Sequence, residues 1–315
     1  MNSAVCTLFE KHYHYGVAGL VNSLYNHGYR GEIYAGYQGS LPFWAVNAKE
    51  NLLLGKGIRS LEITTGLNIN FILLDTKYHL TNYKPNFMLQ LLAGPAKGYE
   101  AMAYFDPDIT IKCKWSFFET WISCGVALVH EITANDMPPS HPLRKEWEKV
   151  INMSQRKISR ELYSYINAGF CGVSRQNLEF LQVWQEIFEI GTKFFNLTSD
   201  QLTHQNDRSY AFYAHDQDAI NIAAMCSQSP LSEMGPEGMD LVHGGWVMSH
   251  AIGSPKPWKK NFILSMLKGS SPSLADRVYW VNVSGPIKCF SSIKTNFKNI
   301  TILFASFLGR FYSKY

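Results

Sequence analysis

Ala4-Val5-Cys6-Thr7-Leu8 is an almost unbroken apolar run of strand length near the start of the chain. Over residues 13–26 the spacing becomes helical, with Val17, Leu20, Val21 and Leu24 on one face, and Gly28 closes it. Glu32-Ile33-Tyr34-Ala35-Gly36 reads as a second strand. Strand, helix and strand in this order predict a parallel sheet with crossover helices, hence an α/β fold. The rhythm continues outward. Residues 71–74 read as a strand, 86–92 as a helix, 100–105 as a strand, and 109–112 as a continuation beyond an acidic turn. A loop is expected over 135–141, a short charged helix over 145–152 and a strand over 166–174. Residues 176–195 form an amphipathic pattern whose stripe of Leu178, Leu181, Trp184, Phe188 and Phe195 reads as core. A further helix is expected over 215–225, then Gly- and Pro-rich loops with short strands over 230–257. The tail over 293–315 is apolar and basic, with Lys294, Lys298, Arg310 and Lys314. It reads either as a helix packed on the domain or as one lying on an anionic membrane surface.

Composition narrows the class. Of 315 residues 46% are hydrophobic and only 17% charged, which excludes a disordered chain. A net charge of +4 without a basic stripe argues against a nucleic-acid partner. The six cysteines form no CxxC pair, so the expectation is free, buried thiols in a reducing compartment and no zinc site. Residues 1–7 carry no basic n-region, and no apolar run reaches the roughly 20 residues of a membrane span. The expected location is cytoplasmic, with peripheral membrane contact through the tail. The 14% aromatic content suits either a core or flat platforms for sugars and bases.

Four polar motifs interrupt the apolar pattern. In Tyr104-Phe105-Asp106-Pro107-Asp108 a strand runs into Asp-X-Asp. Two carboxylates so spaced can reach one hard divalent cation, although Asp-Pro-Asp is also an ordinary turn. His250-Ala251-Ile252-Gly253-Ser254-Pro255-Lys256-Pro257-Trp258 supplies a nitrogen ligand, a glycine for close backbone approach and a cation for phosphate. Asp216-Gln217-Asp218 opens a helix, where acidic residues suit the dipole and can also bond sugar hydroxyls. Asn167-Ala168-Gly169 ends a strand, as a turn or as an amide beside a polar ligand.

Taken in order over residues 4–260, these motifs resemble glycosyltransferase family 8. The resemblance implies the GT-A fold, a Rossmann-like mixed sheet flanked by helices, over 1–265, with a C-terminal helical extension over 266–315. It implies Mn²⁺ or Mg²⁺ as cofactor, a nucleotide-sugar donor with UDP-sugar favoured, a glycan or lipid-linked acceptor, and transfer with retention of configuration. By the same resemblance Asp106, Asp108 and His250 would hold the metal. Gly253 and Lys256 would hold the diphosphate. Asn167, Asp216 and Gln217 would line the donor sugar, with Gln217 stabilising charge. Tyr13 would stack on the base, Thr7 and Leu8 would border it, and Lys84 would stand near the sugar and phosphate.

The chain departs from that pattern in three places. Phe9-Glu10-Lys11 stands where the family often has Asp or Asn for the uracil edge. Pro107 replaces a small residue and lacks an N–H. Residues 93–98 stand as an insertion between Lys84 and the acidic motif. Residues 115–147 are expected to shape the acceptor site: His141 and Arg144 read either as acceptor contacts or as a surface pair, and Trp115, Phe117, Phe118 and Trp121 are candidate sugar platforms. The alternative reading is a non-catalytic nucleotide-sugar or carbohydrate binder on the same fold. A nucleotidyltransferase would need a Gly-rich basic loop after the first strand, where 9–16 has one Gly and one Lys. A dinucleotide-dependent dehydrogenase would need a G-x-G-x-x-G after a strand, and there is none.

Overall fold

Alternation along β1 (Ser3–Glu10) sets the architecture in the computed structural model, which describes residues 1–132, 136–203 and 207–311. Ala4, Cys6 and Leu8 enter one apolar core, and Val5 and Phe9 enter another. A central strand covered on both faces reads as a continuous apolar run, which is why its sequence is so plain. The chain continues through α1 (His14–Asn26), β2 (Gly31–Gln38), β3 (Lys49–Glu50), β4 (Ile58–Thr64), β5 (Leu67–Leu73) and α2 (Lys84–Ala93). Next come β6 (Ala101–Phe105), β7 (Ile109–Ile111), α3 (Trp115–Ser123), β8 (Val126–His130), α4 (Pro142–Met153) and β9 (Ile166–Ser174). The last part holds α5 (Leu178–Phe194), α6 (His215–Cys226), β10 (Leu231–Met234), β11 (Met248–His250), α7 (Phe262–Leu267), α8 (Leu274–Asn282) and α9 (Ser292–Leu308).

The main sheet has the order β10-β8-β9-β6-β1-β2-β5-β4-β3. β1 is parallel to both β2 and β6, whereas β9 is antiparallel to both β6 and β8, so the sheet is mixed. From β1 the sheet grows one way through β2 and β5, and β6 then returns to the other side. Between β1 and β6 the strand order therefore reverses, and the crevice at the carboxyl ends of such strands is where open α/β sheets hold ligands. α1 covers one face with Val17, Leu20, Val21 and Leu24, and α5 the other with Leu181, Trp184 and Phe188. Each such buried side chain contributes about 1.5–3 kcal/mol, and Leu20→Ala would leave a cavity in the first face at a cost of about 2–5 kcal/mol.

The expected elements are present with small shifts in their ends. The helix expected from residue 13 starts at His14, and the strand over 32–36 runs from Gly31 to Gln38. β3, β4, β8 and the helix α3 were missed in the sequence, although α3 places Trp115, Phe118, Trp121 and Ile122 at helical spacing. Of the loop expected over 135–141, Asn135 lies outside the described residues, as does Lys314 of the tail. The cysteine expectation holds for Cys6, Cys171 and Cys226, but Cys124 is exposed and Cys113 and Cys289 are half-buried. The tail does form a helix, and α9 buries Ile302 and Ala305 with Trp258, Phe262, Tyr279 and Trp280 in a small third core. Its opposite face stays exposed. The division expected at 265/266 falls inside α7. No helix among the described residues is long and apolar enough to cross a membrane.

Candidate functional site

Two strand ends build the site. β6 stops at Phe105, and the Asp106 N–H donates to Gly169 O of β9 at 2.7 Å. A tight turn, closed by Ile109 N–H to Asp106 O at 3.0 Å, carries the chain past Pro107 and Asp108 into β7. β7 pairs antiparallel with β11 so that Ile109 faces His250. That register brings together residues more than a hundred positions apart: ligand atoms of Asp106, Asp108 and His250 all lie within 4.8 Å of one another. His250 Nε2 is 3.3 Å from Asp108 Oδ1 and 3.9 Å from Asp106 Oδ2. Its Nδ1 is buried without a hydrogen-bond partner among the described residues, so the ring directs its polar interactions toward the carboxylates. Two glycines make room. A Cβ on Gly169 would sit 2.6 Å from His250 Cε1, and one on Gly16 would strike the carbonyl of Pro107.

Charge is organised around this cluster. Lys256 Nζ donates to Asp108 Oδ2 at 2.5 Å and to Ala251 O at 2.8 Å. Burial pushes the Asp108 carboxyl up, but His250 and Lys256 outweigh it and hold it well below the usual carboxylate range. Burial pulls Lys256 down, and Asp108 more than offsets this, so its ammonium is held above the ordinary lysine value. On the other side, Tyr104 OH donates to Asp106 Oδ1 at 2.7 Å. Lys84, 1% exposed, lies 3.2 Å from Asp106 Oδ1, donates to Asp216 Oδ2 at 2.8 Å and to Ala168 O at 2.9 Å. Asp218 is held by Tyr165 OH and the Ala214 N–H, both at 2.7 Å, and its burial pushes its carboxyl up to about 7.

A cleft of about 330 Å³ opens over the cluster. Leu8, Tyr13, Asp106, Asp108, His250, Gly253 and Lys256 line it, all of them singled out in the sequence. Gly253 has φ +78, a left-handed conformation that favours glycine. Tyr13 is half-buried, with its ring edge-on to Trp258 at 5.7 Å and the Lys256 ammonium 5.9 Å from its centre. The Trp258 Nε1–H in turn donates to His12 Nδ1 at 3.0 Å. Lys84, Asn167, Asp216 and Gln217 stand behind the acidic residues rather than along the cleft. Asn167 donates to Glu131 Oε2 at 2.6 Å and accepts from the Gly169 N–H at 2.8 Å, so protein groups hold both ends of its amide. Gln217 Oε1 faces the Ala168 N–H at 3.4 Å. Thr7 lies inside β1, which runs on to Glu10, and its hydroxyl is buried without a partner among the described residues.

Several expectations are corrected. Trp115, Phe118 and Trp121 are buried in the core beneath β9, with Trp115 Nε1 donating to Ser3 Oγ and Trp121 Nε1 to Ser232 O. Phe117 is half-buried against Trp246, so the four do not form a sugar platform. Arg144 is fully buried, donates to Met137 O and Ser164 O, and has its guanidinium pulled down to about 10 by burial. His141 caps α4 through the Leu143 N–H. Neither lines the cleft, and the burial of Arg144 also removes the surface pair. The sequence reading missed His79, Leu80, Thr81 and Leu202 on the cleft wall, which lie outside every motif it read, and gave no role to Ile252 within the His250 motif.

No protein-family model matches the chain, and no curated protein matches its sequence. Among solved structures it is similar to the WbbM bifunctional glycosyltransferase in its apo form, at 13% identity over 95% of this chain and 52% of that one, with a TM-score of 0.54. It is also similar to the glycosyltransferase GlyE of Streptococcus pneumoniae TIGR4, at 13% identity over 96% of this chain and 64% of that one, with a TM-score of 0.51. The chain thus spans between half and two thirds of the length of these neighbours. At such low identity the likeness is one of fold: this is the GT-A-like α/β architecture on which those glycosyltransferases are built.

Proposed function

We propose that the chain is a metal-dependent retaining glycosyltransferase of the family 8 kind, moving a sugar from a nucleotide diphosphate, with UDP favoured, to a hydroxyl acceptor. The observation that carries this reading is the convergence of Asp106, Asp108, His250 and Lys256 on one cleft at the carboxyl ends of β1 and β6. Two carboxylates and an imidazole within 4.8 Å are a donor set that fits Mn²⁺ or Mg²⁺. When bound there, the cation supplies Lewis-acid neutralisation of the departing diphosphate.

The chain's own residues do the rest. Lys256 exchanges part of its contact with Asp108 for phosphate oxygens, and Gly253 lets the loop backbone approach them. Tyr13, half-buried on the cleft wall with its ring stacked on His12 at 4.8 Å, is the aromatic offered to the base. Lys84 holds Asp106 and Asp216 in fixed relation. The bond from the sugar C1 to the phosphate oxygen breaks, the bond from C1 to the acceptor oxygen forms, and the acceptor proton passes to the departing phosphate oxygen. Same-face attack is favoured because the carboxylates of the Asp216-Gln217-Asp218 segment are already engaged, Asp216 by Lys84 and Asp218 by Tyr165 and Ala214.

The test is a panel of nucleotide-sugars with and without Mn²⁺, read by thermal shift and by release of nucleoside diphosphate, with NMR of the transfer product. Metal-dependent stabilisation by one nucleotide class, with slow hydrolysis, is expected. Binding without release would leave the non-catalytic binder, and an inverted product would remove the retaining mechanism.

A further inference from the structure

α9 shows two opposite faces. Ile302 and Ala305 pack inward with α7 and α8. On the far side Ile293, Phe297, Ile300, Phe304, Phe307 and, just past the helix, Phe311 are each 52–82% exposed. Their spacing alternates four and three residues, so at 3.6 residues per turn they form one straight stripe. The stripe runs the length of a helix of about 26 Å. Six large side chains in a row exceed the scattered apolar residues of an ordinary surface.

Charge separates the same region from the rest of the chain. Residues 256–315 carry ten Lys and Arg against one acidic residue, Asp276. The preceding 255 residues carry 19 against 24 and are net acidic. α9 has no Asp or Glu, and Lys294 and Arg310 are exposed on either side of its stripe. Asp276 is committed to Lys260 at 2.7 Å. The unit is tied to the cleft's phosphate-side loop, since Trp280 Nε1 donates to Pro257 O at 3.1 Å.

We propose that the exposed face of α9 docks on an anionic lipid bilayer, with the stripe buried among the acyl chains and the flanking cations at the headgroups. A helix with an apolar stripe, cationic flanks and too little length to span lies in the interface plane. A second copy of the chain is the weaker occupant, because two such faces bring like cations together with no carboxylate on α9 to pair them. The proposal does not depend on the glycosyl-transfer reading, and its readout is physical binding.

The experiment is flotation of the full chain with phosphatidylcholine vesicles, with or without about 30% phosphatidylglycerol, at about 0.1 and 0.5 M salt. Flotation with the anionic vesicles is expected, weakening at the higher salt. Phe304→Ser with Phe307→Ser should lower the partition constant about tenfold or more, as should Lys294→Glu with Arg310→Glu at the lower salt. These residues are exposed, so the melting midpoint should stay at the wild-type value as the folding control. Failure of the wild type to float with anionic vesicles overturns the proposal, as does flotation unchanged by the phenylalanine pair. Sedimentation showing a dimer that the same pair dissociates, without vesicle binding, would assign the face to a second copy instead.

Discussion

Lys84→Met removes the buried cation shared by Asp106 and Asp216. The side chain is 1% exposed, its ammonium lies 3.2 Å and 2.8 Å from the two carboxylates, and it also donates to Ala168 O at 2.9 Å. Met keeps most of the stem volume and deletes the charge with its donors, so little packing is lost. Breaking a buried ion network by removing one partner costs about 3–5 kcal/mol, because the remaining charges lose their compensation. At about 2.1 cal/mol/K of unfolding entropy per residue, a chain of this length loses about 5–8 °C in melting midpoint. The pH dependence has a definite sign. Burial pulls Lys84 down, but Asp106 and Asp216 outweigh it and hold the ammonium above 10.5. A raised lysine contributes stability that is complete below its unfolded value and lost only as pH rises through the folded one. The full penalty is therefore present near neutral pH. Burial already raises the Asp216 carboxyl against the pull of Lys84, and without that cation Asp216 takes up a proton more readily in the folded state, so the gap to wild type narrows on acidification below neutral pH. Calorimetry across that range measures it, and adding Asp216→Asn should recover a large part of the loss. A midpoint within about 1 °C of wild type near neutral pH, or a gap that widens on acidification, would refute the reasoning.

Three further outcomes are expected. Lys256→Ala removes the cation nearest Asp108 and should lower sugar transfer about 10²–10³-fold. Because the Asp108 carboxyl is depressed in the fold, its stabilisation is present above the unfolded value of 3.8 and lost as pH falls through the folded one; this variant should move acid unfolding to higher pH, as read by circular dichroism. Asp108→Asn and His250→Ala should each weaken Mn²⁺ binding by about 10–100-fold in electron paramagnetic resonance titrations, and undiminished affinity in both would remove the metal assignment. Arg144→Met should cost about 2–3 kcal/mol in urea unfolding while leaving transfer unchanged, since it strands the carbonyls of Met137 and Ser164 away from the cleft.

Local chemistry was legible where it depends on neighbours in sequence. The period of α1 and α5, the apolar run of β1 and the strand of 166–174 each follow from which residues must face a core, and that requirement is written at spacings of two or 3.6. The residues lining the cleft were legible for a different reason. Asp106, Asp108, His250, Gly253 and Lys256 each also suit an ordinary turn or loop, and it was their occurrence in ordered motifs resembling a known family that singled them out. Aromatic residues carried no such signal. Trp115 and Trp121 satisfy their indole N–H on Ser3 and Ser232 and are buried, while Tyr13 remains open to the cleft, and all three look alike in sequence.

By itself, then, the sequence determined the α/β order and the inventory of metal- and phosphate-suited groups, because these rest on local periodicity and residue chemistry. Only the tertiary structure decided which of them meet. The β7–β11 register that sets His250 over the acidic turn, the Gly169 vacancy that admits its ring, the burial that turns Arg144 and Lys84 into internal struts, and the side of α9 left bare all depend on long-range packing. A linear pattern records that a group is polar or apolar; whether it is paired, buried or exposed is fixed by partners far away in the chain.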